Sequence, residues 1–238
     1  MKIAIIGYGK MGKMIEKIAQ ERGHQILFRF DVDNKHEFTI DNLKKADVAI
    51  EFSTPQSAYE NVKKCFDANL PVVSGTTGWL EKMEELKNIA IEENKAFFYA
   101  SNFSIGVNIV FYLNRRLAQI MNQFNQYVPS ITEIHHIHKK DAPSGTAISL
   151  ANGIIENLER VSSWTMDKFT TQEQIKITAI REDEIPGIHT ITYESDFDII
   201  QLRHEAKGRE GFATGAILAA EFLLGKKGFY TMENLLQF

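Results

Sequence analysis

The sequence predicts an α/β protein in two parts: a doubly wound parallel-sheet dinucleotide-binding domain and an α+β domain built on a mixed sheet. Three observations carry that expectation. Short apolar runs alternate with helical patterns through the first hundred residues. The first of those runs ends in GYGKMG. Beyond residue 127 strand patterns dominate, with one helix among them.

KIAIIG is a nearly unbroken apolar run ending in glycine, as a strand buried on both faces of a parallel sheet requires. GYGKMG places Gly7, Gly9 and Gly12 in the spacing G-x-G-x-x-G, and a helix follows with Met11, Ile15, Ile18 and Ala19 on one face. Gly23 suits its C-terminal cap. QILFRFD then reads as a second strand ending at Asp31, 19 residues past Gly12. In this order the glycines divide three mechanical roles. One permits a tight turn, one admits a pyrophosphate to the backbone, and one lets helix and strand approach. The helix N-terminus offers free N–H groups to phosphates, and Asp31 can accept from ribose hydroxyls. A close-packed βαβ unit without ligand is the alternative, and dinucleotide binding is the reading preferred.

The alternation continues. ADVAIEFS (46–53) reads as a strand, PQSAYENVKKCFDANL as a helix with Pro55 in its first turn, and PVVSGTTG (71–78) as a strand into a turn. WLEKMEELKNIAIEEN is a helix and AFFYASNF (96–103) a further strand. Ligands of such sheets sit beyond the carboxyl ends of the strands, here GYGKMG, Asp31, FSTP, GTTG and ASNF. The carboxylate of Asp31 disfavours a 2′-phosphate, while Arg29, Lys35 and His36 stand near enough in sequence to offset it. NADH is therefore expected to serve at least as well as NADPH.

Residues 104–124 repeat apolar side chains at Ile109, Leu113, Leu117, Ile120 and Phe124, a long helix leading into a second domain. Strands follow at VPSITEIHHIH, IKITAIR (175–181), GIHTITYE (187–194) and FDIIQLRHEA (197–206), with ESDFD as a hairpin turn. TAISLANGIIENLER is the helix among them. The final GFATGAILAAEFLLG is apolar nearly all round and is expected to return to the first domain. The expected boundaries are 1–106 with 213–238 for dinucleotide binding, and 107–212 for substrate binding and self-association. A sheet face with few covering helices suggests self-association.

A net charge of −4 gives no general pull toward nucleic acid. No apolar run approaches the roughly 20 residues of a membrane span. The N-terminus carries no signal-peptide pattern. Cys65 is the only cysteine and shares a helix face with Ala58, Val62 and Phe66, so it reads as core. A cytoplasmic protein that contacts neither nucleic acid nor membrane is expected.

EIHHIHKKDAPSGTAI (133–148) gathers three histidines and two lysines immediately before a helix start. By strand alternation Glu133, His135 and Ile137 face one way, and Ile134, His136 and His138 the other. Lys139, beginning a turn, can fold back beside His135. Pro143 stops the strand, Ser144 or Thr146 can cap the next helix, and Gly145 lets a ligand reach the backbone. A metal site is disfavoured, because adjacent histidines diverge and the lysines repel a cation. A solvated strand end is the bland alternative. An acid–base site beside a carboxylate pocket is the preferred reading, since histidine titrates near neutrality and a helix N-terminus attracts anions.

GYGKMG, GTTG, SNFSIGVN, EIHHIHKKDAPSGTAI and GFATGAILAAEFL, in this order, resemble the dihydrodipicolinate reductase family over nearly the whole chain. The resemblance implies a homotetramer that uses NADH or NADPH to reduce a small cyclic dicarboxylate in diaminopimelate and lysine biosynthesis. It implies His135 as general acid and Lys139 as catalytic lysine, with His136, Ser144, Gly145 and Thr146 holding the substrate. For the cofactor it implies Gly7, Tyr8, Gly9, Lys10, Met11 and Gly12, together with Gly75, Thr76, Thr77, Ala100, Ser101, Asn102 and Phe103, to which the strand-end reading adds Asp31 and Phe52. The implied chemistry is hydride addition to a carbon conjugated with a ring imine, then protonation of the enamine by His135 as the domains close. Two departures stand out. The family often has a glycine pair after the strand arginine where this chain reads IREDEIPGIHT, and its usual FANGA is FATGA here. Another NAD(P)-dependent imino- or amino-acid reductase, or a non-catalytic nucleotide sensor, would share much of this layout.

Overall fold

The computed structural model describes residues 1–167, 171 and 173–238. The chain forms two compact units, Met1–Ile105 with Arg209–Phe238, and Gly106–Gly208.

The first unit holds a six-stranded parallel sheet in the order β11-β5-β4-β3-β1-β2. Its strands are β1 (Lys2–Ile6), β2 (Gln25–Phe30), β3 (Val48–Glu51), β4 (Val72–Ser74), β5 (Ala96–Tyr99) and β11 (Gly228–Tyr230). Strand side chains alternate between two cores. Ile3, Ile5, Ile50 and Phe98 face α1 (Lys10–Glu21) and α7 (Glu210–Leu223). Ala4, Ile6, Ala49 and Phe97 face α3 (Pro55–Asp67) and α4 (Met83–Glu92), where Cys65 lies fully buried. Burial on both sides explains why these strands read as apolar runs. α7 is apolar all round because it packs between the sheet and α1. Its Gly215 touches the chain so closely that a Cβ would collide with the Phe103 carbonyl. Short helices α2 (Ile40–Leu43) and α8 (Met232–Leu236) complete the unit.

Two details differ from the sequence reading. β2 stops at Phe30, and Asp31 instead caps a 3-10 turn over Val32–Glu37. β11, only three residues long, is too short to show a period and was not anticipated.

The second unit is a five-stranded mixed sheet in the order β10-β9-β6-β8-β7. Its strands are β6 (Val128–His135), β7 (Ser163–Thr165), β8 (Gln174–Arg181), β9 (Ile188–Glu194) and β10 (Ile199–Glu205). β8 runs parallel to β6 and β7, while β9 is antiparallel to β6 and β10. α5 (Ile105–Met121) and α6 (Gly145–Ile155) contribute to one core with Ile131, Ile177, Ile191 and Tyr193.

α5 turns a different face inward from the one its apolar stripe suggests. Val107, Val110, Asn114, Ala118 and Met121 are buried, whereas Ile109, Leu113, Ile120 and Phe124 are exposed. The reason lies in α6. Asn114 donates to the Leu150 carbonyl at 2.9 Å, and a Cβ on Gly153 would stand 3.3 Å from its amide. Close helix approach selects small residues and a polar tie, which a hydrophobic pattern does not reveal.

Candidate active site

In the first unit the glycine loop opens a pocket of about 470 Å³, lined by Gly7, Tyr8, Gly9, Asp31, Lys35 and Phe52 among others. Gly7 has φ +89°, and a Cβ there would strike the Phe52 carbonyl. A Cβ on Gly12 would strike the Gly7 carbonyl, so this glycine sets how near α1 comes to β1. Gly9 is the opposite case: a Cβ would meet nothing within 4 Å. Gly9 also precedes α1 with no side-chain cap, leaving the first N–H groups open to an anion. Tight turn, close packing and open approach are therefore divided among three glycines, and the loop fits a dinucleotide pyrophosphate.

Asp31 accepts from the backbone N–H of Val32 at 2.8 Å and of Tyr8 at 3.2 Å, which fixes it at the pocket rim. Of the three cations near it in sequence, only Lys35 lines the pocket. Arg29 is committed to Glu16, which also accepts from the Tyr8 hydroxyl, and it holds Glu16 below the usual carboxylate range. His36 is exposed and lies 3.9 Å from Glu37.

The remaining expected cofactor residues surround the strand ends. Lys10 and Met11 begin α1, Lys10 exposed and Met11 packed on the core. Gly75 leaves room for the rings of Phe52 and Phe103, whose centroids lie 5.5 Å apart. Thr76 is buried, accepting from Ser53 N–H at 2.8 Å and donating to Glu51 at 2.9 Å, while Thr77 is exposed. Ala100 and Phe103 are buried, Ser101 is exposed, and Asn102 accepts from Ser104 N–H at 2.9 Å. The sequence reading overlooked Glu51. It is wholly buried at the end of β3 and also accepts from Ser74 at 2.7 Å and from both donors of Ser53, so it ties the loops after β3 and β4 together. A charged residue closing an apolar strand was the available signal.

In the second unit the buried face of β6 ends in Glu133 and His135. Glu133 accepts at Oε1 from Arg181 at 3.0 Å and from Ser144 N–H at 3.1 Å. His135 Nδ1 lies 2.5 Å from Glu133 Oε2, close but off the hydrogen-bonding direction. His189, opposite Glu133 in the β6–β9 register, stands edge-on to His135 with centroids 5.0 Å apart and contacts Ser144 Oγ at 3.2 Å. Burial pushes the Glu133 carboxyl up, but the bonds from His135, Arg181 and Ser144 outweigh it and bring it down to about 2. Burial first, then the neighbouring His135, pushes His189 down to about 4. At neutral pH the cluster holds a carboxylate and a neutral His189.

Glu133, His135 and His189 offer ligand atoms within 4.8 Å of one another. However, two ligands of one tetrahedral zinc stand about 3.3 Å apart, further than the contact between Glu133 and His135, and Arg181 already occupies the same carboxylate. The arrangement is a buried carboxylate–imidazole contact braced by Arg181.

Ser144 caps α6, its Oγ accepting from Ala147 N–H at 3.2 Å. A Cβ on Gly145 would meet nothing within 4 Å, and Thr146 lies half-buried in the first turn. The strand ends at His135 rather than continuing through His138. Ile137 N–H bonds to Asp183 O at 3.1 Å and Lys139 N–H to His136 O at 3.1 Å, so Ile137 is exposed rather than beside His135. Lys139 pairs with Asp141 at 2.9 Å, His136 is half-buried, and His138 is exposed beside Glu184 at 3.1 Å. Arg181 and His189 were not singled out from the sequence, and Glu133 was read there only as sharing the strand face of His135. The departing loop is accommodated by Asp183, which adopts φ +44°, a conformation glycine takes without strain and aspartate tolerates.

Parallel sheet, glycine loop and rim acid, with a second unit presenting an imidazole beside a carboxylate and a serine-capped helix start, define a nicotinamide-dinucleotide-dependent oxidoreductase. The chain matches the N-terminal part of dihydrodipicolinate reductase over residues 1–103 and the C-terminal part over residues 106–236. It belongs to the dihydrodipicolinate reductase family. The 4-hydroxy-tetrahydrodipicolinate reductase of Christiangramia forsetii is 47% identical over 237 residues, covering 99% of this chain and 98% of that one. That of Thermosipho africanus is 33% identical over 240 residues, covering 100% and 98%. A dipicolinate-bound dihydrodipicolinate reductase from Paenisporosarcina sp. TG-14 shares the fold, with TM-score 0.79 at 23% identity over 98% of each chain.

Proposed function

We propose that the chain reduces the cyclic dicarboxylate 4-hydroxy-tetrahydrodipicolinate to tetrahydrodipicolinate, using NADH or NADPH, within diaminopimelate and lysine biosynthesis. The observation that carries this reading is the folding of residues 133–146. It sets a buried imidazole, a lysine and an open helix N-terminus within one short segment of a family member. Gly7–Gly12, Asp31 and Phe52 bind the dinucleotide on the first unit, with the loops after β4 and β5 beside them. The second unit binds the diacid.

A reduced nicotinamide held on the first unit supplies hydride. His135 supplies the proton that completes the reduction. Lys139 exchanges Asp141 for a substrate carboxylate, and the N–H groups of Gly145 and Thr146 hold the other, with His136 alongside. Asp31, with Lys35 as the cation lining its pocket, makes NADH at least as good a donor as NADPH. A single buried cysteine accords with a cytoplasmic site. Among the described residues no helix is long and apolar enough to cross a membrane.

The test is a coupled assay that generates the unstable substrate in situ and follows loss of NADH or NADPH absorbance. Oxidation that depends on the cyclic diacid, and far slower turnover of open-chain imino acids, is expected. Binding of NADH without oxidation would leave a nucleotide sensor instead.

A further inference from the structure

Glu133 is a wholly buried carboxylate whose two oxygens are used differently. Oε1 accepts from Arg181 at 3.0 Å and Ser144 N–H at 3.1 Å. Oε2 lies 2.5 Å from His135 Nδ1, and among the described residues neither of these buried atoms has another partner. Each is desolvated and without a hydrogen bond as it stands, and the other is the polar atom beside it that can supply one. On the far side of the ring a Cβ on Gly187 would come within 2.9 Å of His135 Nε2, so glycine there keeps that nitrogen clear.

We propose that Glu133 is the positioning residue for the reaction: it accepts a hydrogen bond from the Nδ1–H of His135, fixes the ring, and leaves Nε2 as the nitrogen that releases a proton to the substrate. This rests on the reading of His135 as the acid. In the step, the Nε2–H bond breaks and its electron pair stays on nitrogen. The enamine carbon forms the new C–H bond, and His135 passes from imidazolium to the neutral Nδ1–H form, to be reprotonated by water. The surrounding elements support this division. β8 supplies Arg181 and the start of α6 supplies Ser144, both spent on Oε1. β9 supplies His189, kept neutral by burial, with His204 of β10 in register beyond it. The turn after β6 supplies Lys139, paired with Asp141. Glu133 thus offsets the repulsion that nearby cations exert on an imidazolium.

Glu133→Gln gives a sharp test. Its amide oxygen stays where Arg181 and Ser144 donate, so its NH₂ turns toward Nδ1. Two donors cannot face one another, so the neutral ring must move its proton to Nε2. Long-range ¹H–¹⁵N spectra of histidine-labelled full-length protein, with the His135 signals assigned by their loss in His135→Gln, read the tautomer directly. The wild type is expected to show Nδ1–H with Nε2 bare, and Glu133→Gln the reverse. Its kcat should fall at least tenfold with KM little changed, as expected when an orienting carboxylate is lost. The alkaline fall in kcat should move to lower pH by about one unit or more. A wild-type spectrum showing Nε2–H overturns the proposal, and this needs no variant to fold. So does a Glu133→Gln pH profile that superimposes on the wild type while His135→Gln is inactive. A fully active His135→Gln overturns the acid reading itself.

Discussion

His135 and His189 lie 5.0 Å apart between ring centroids, yet their environments assign them different work. His135 has a buried carboxylate at one nitrogen and a glycine beside the other. Substituting it by Gln should lower kcat by roughly 10²–10⁴-fold, the usual share of general acid catalysis, with the circular-dichroism spectrum that of a folded chain. An unchanged kcat would remove it from the role. His189 carries a stability signature instead. Its pKa falls from 6.5 to about 4 in the folded chain, chiefly through burial. Above pH 6.5 neither state binds the proton. As pH falls from there through 4 the unfolded chain takes up a proton that the folded chain refuses, so stability is lost across that window, by about 3 kcal/mol in all. Glu133 adds a loss of the same sign below it, from its ordinary 4.5 toward about 2. Thermal unfolding followed from pH 7.5 to 4 should show a shallower slope in His189→Leu than in the wild type, the remainder including His204, which burial also pushes down; equal slopes would refute the assignment. At this scale Glu133 was legible, since a strand places it on the face of His135. Arg181 and His189 were not, because their approach depends on pairing registers between β6, β8 and β9 that no local pattern encodes.

Among elements, the glycine loop was the most legible, because G-x-G-x-x-G between strand and helix expresses three separate steric demands. The structure makes those demands unequal. Gly9 faces open space, while Gly12 sits against the Gly7 carbonyl. Gly12→Ala should therefore force α1 away from β1, costing about 1–3 kcal/mol as overpacking does, and should weaken NADH binding by displacing the helix N-terminus. Gly9→Ala should leave stability within about 1 kcal/mol, in line with an open site, and act on NADH affinity alone. Denaturant melts and NADH titrations of the two variants separate the effects, and equal destabilisation would contradict the assignment. α5 shows where pattern reading fails. Its visible stripe of Ile109, Leu113 and Ile120 is exposed, and its buried face is built around Asn114 and Ala118. Hydrophobic periodicity locates a helix but orients it only when the neighbour demands large apolar side chains. Here the neighbour demanded close approach. β7 and β11, of three residues each, escaped because two alternations do not make a period.

For the molecule as a whole, the sheet of the second unit poses the remaining question. One of its faces is covered by its helices, which leaves the other to account for. The strand registers place Val128 with Ile199, and Ile134 with Ile180, at the two ends of that other face. Thr132, Thr178, Thr190 and Thr192 lie between them, with Lys176, Arg203, Glu194 and Glu205 as the charges there, Arg203 paired with Glu205 at 2.8 Å. Val128 and Ile199 are more than half exposed, and Phe197 at the adjoining hairpin is 87% exposed. β-Branched surface of this kind gains by packing on a like surface, and a face that meets its own copy generates a symmetric pair. A second self-contact in another direction would make the tetramer that the family resemblance implied. Sedimentation of the wild type should then give one species near four chains. Thr192→Arg, which sets a charge in the middle of the face without entering the core, should give smaller species with the far-ultraviolet spectrum unchanged. A wild type that sediments as a monomer would mean that this face meets water, and that its threonines serve to keep an uncovered sheet hydrated rather than joined.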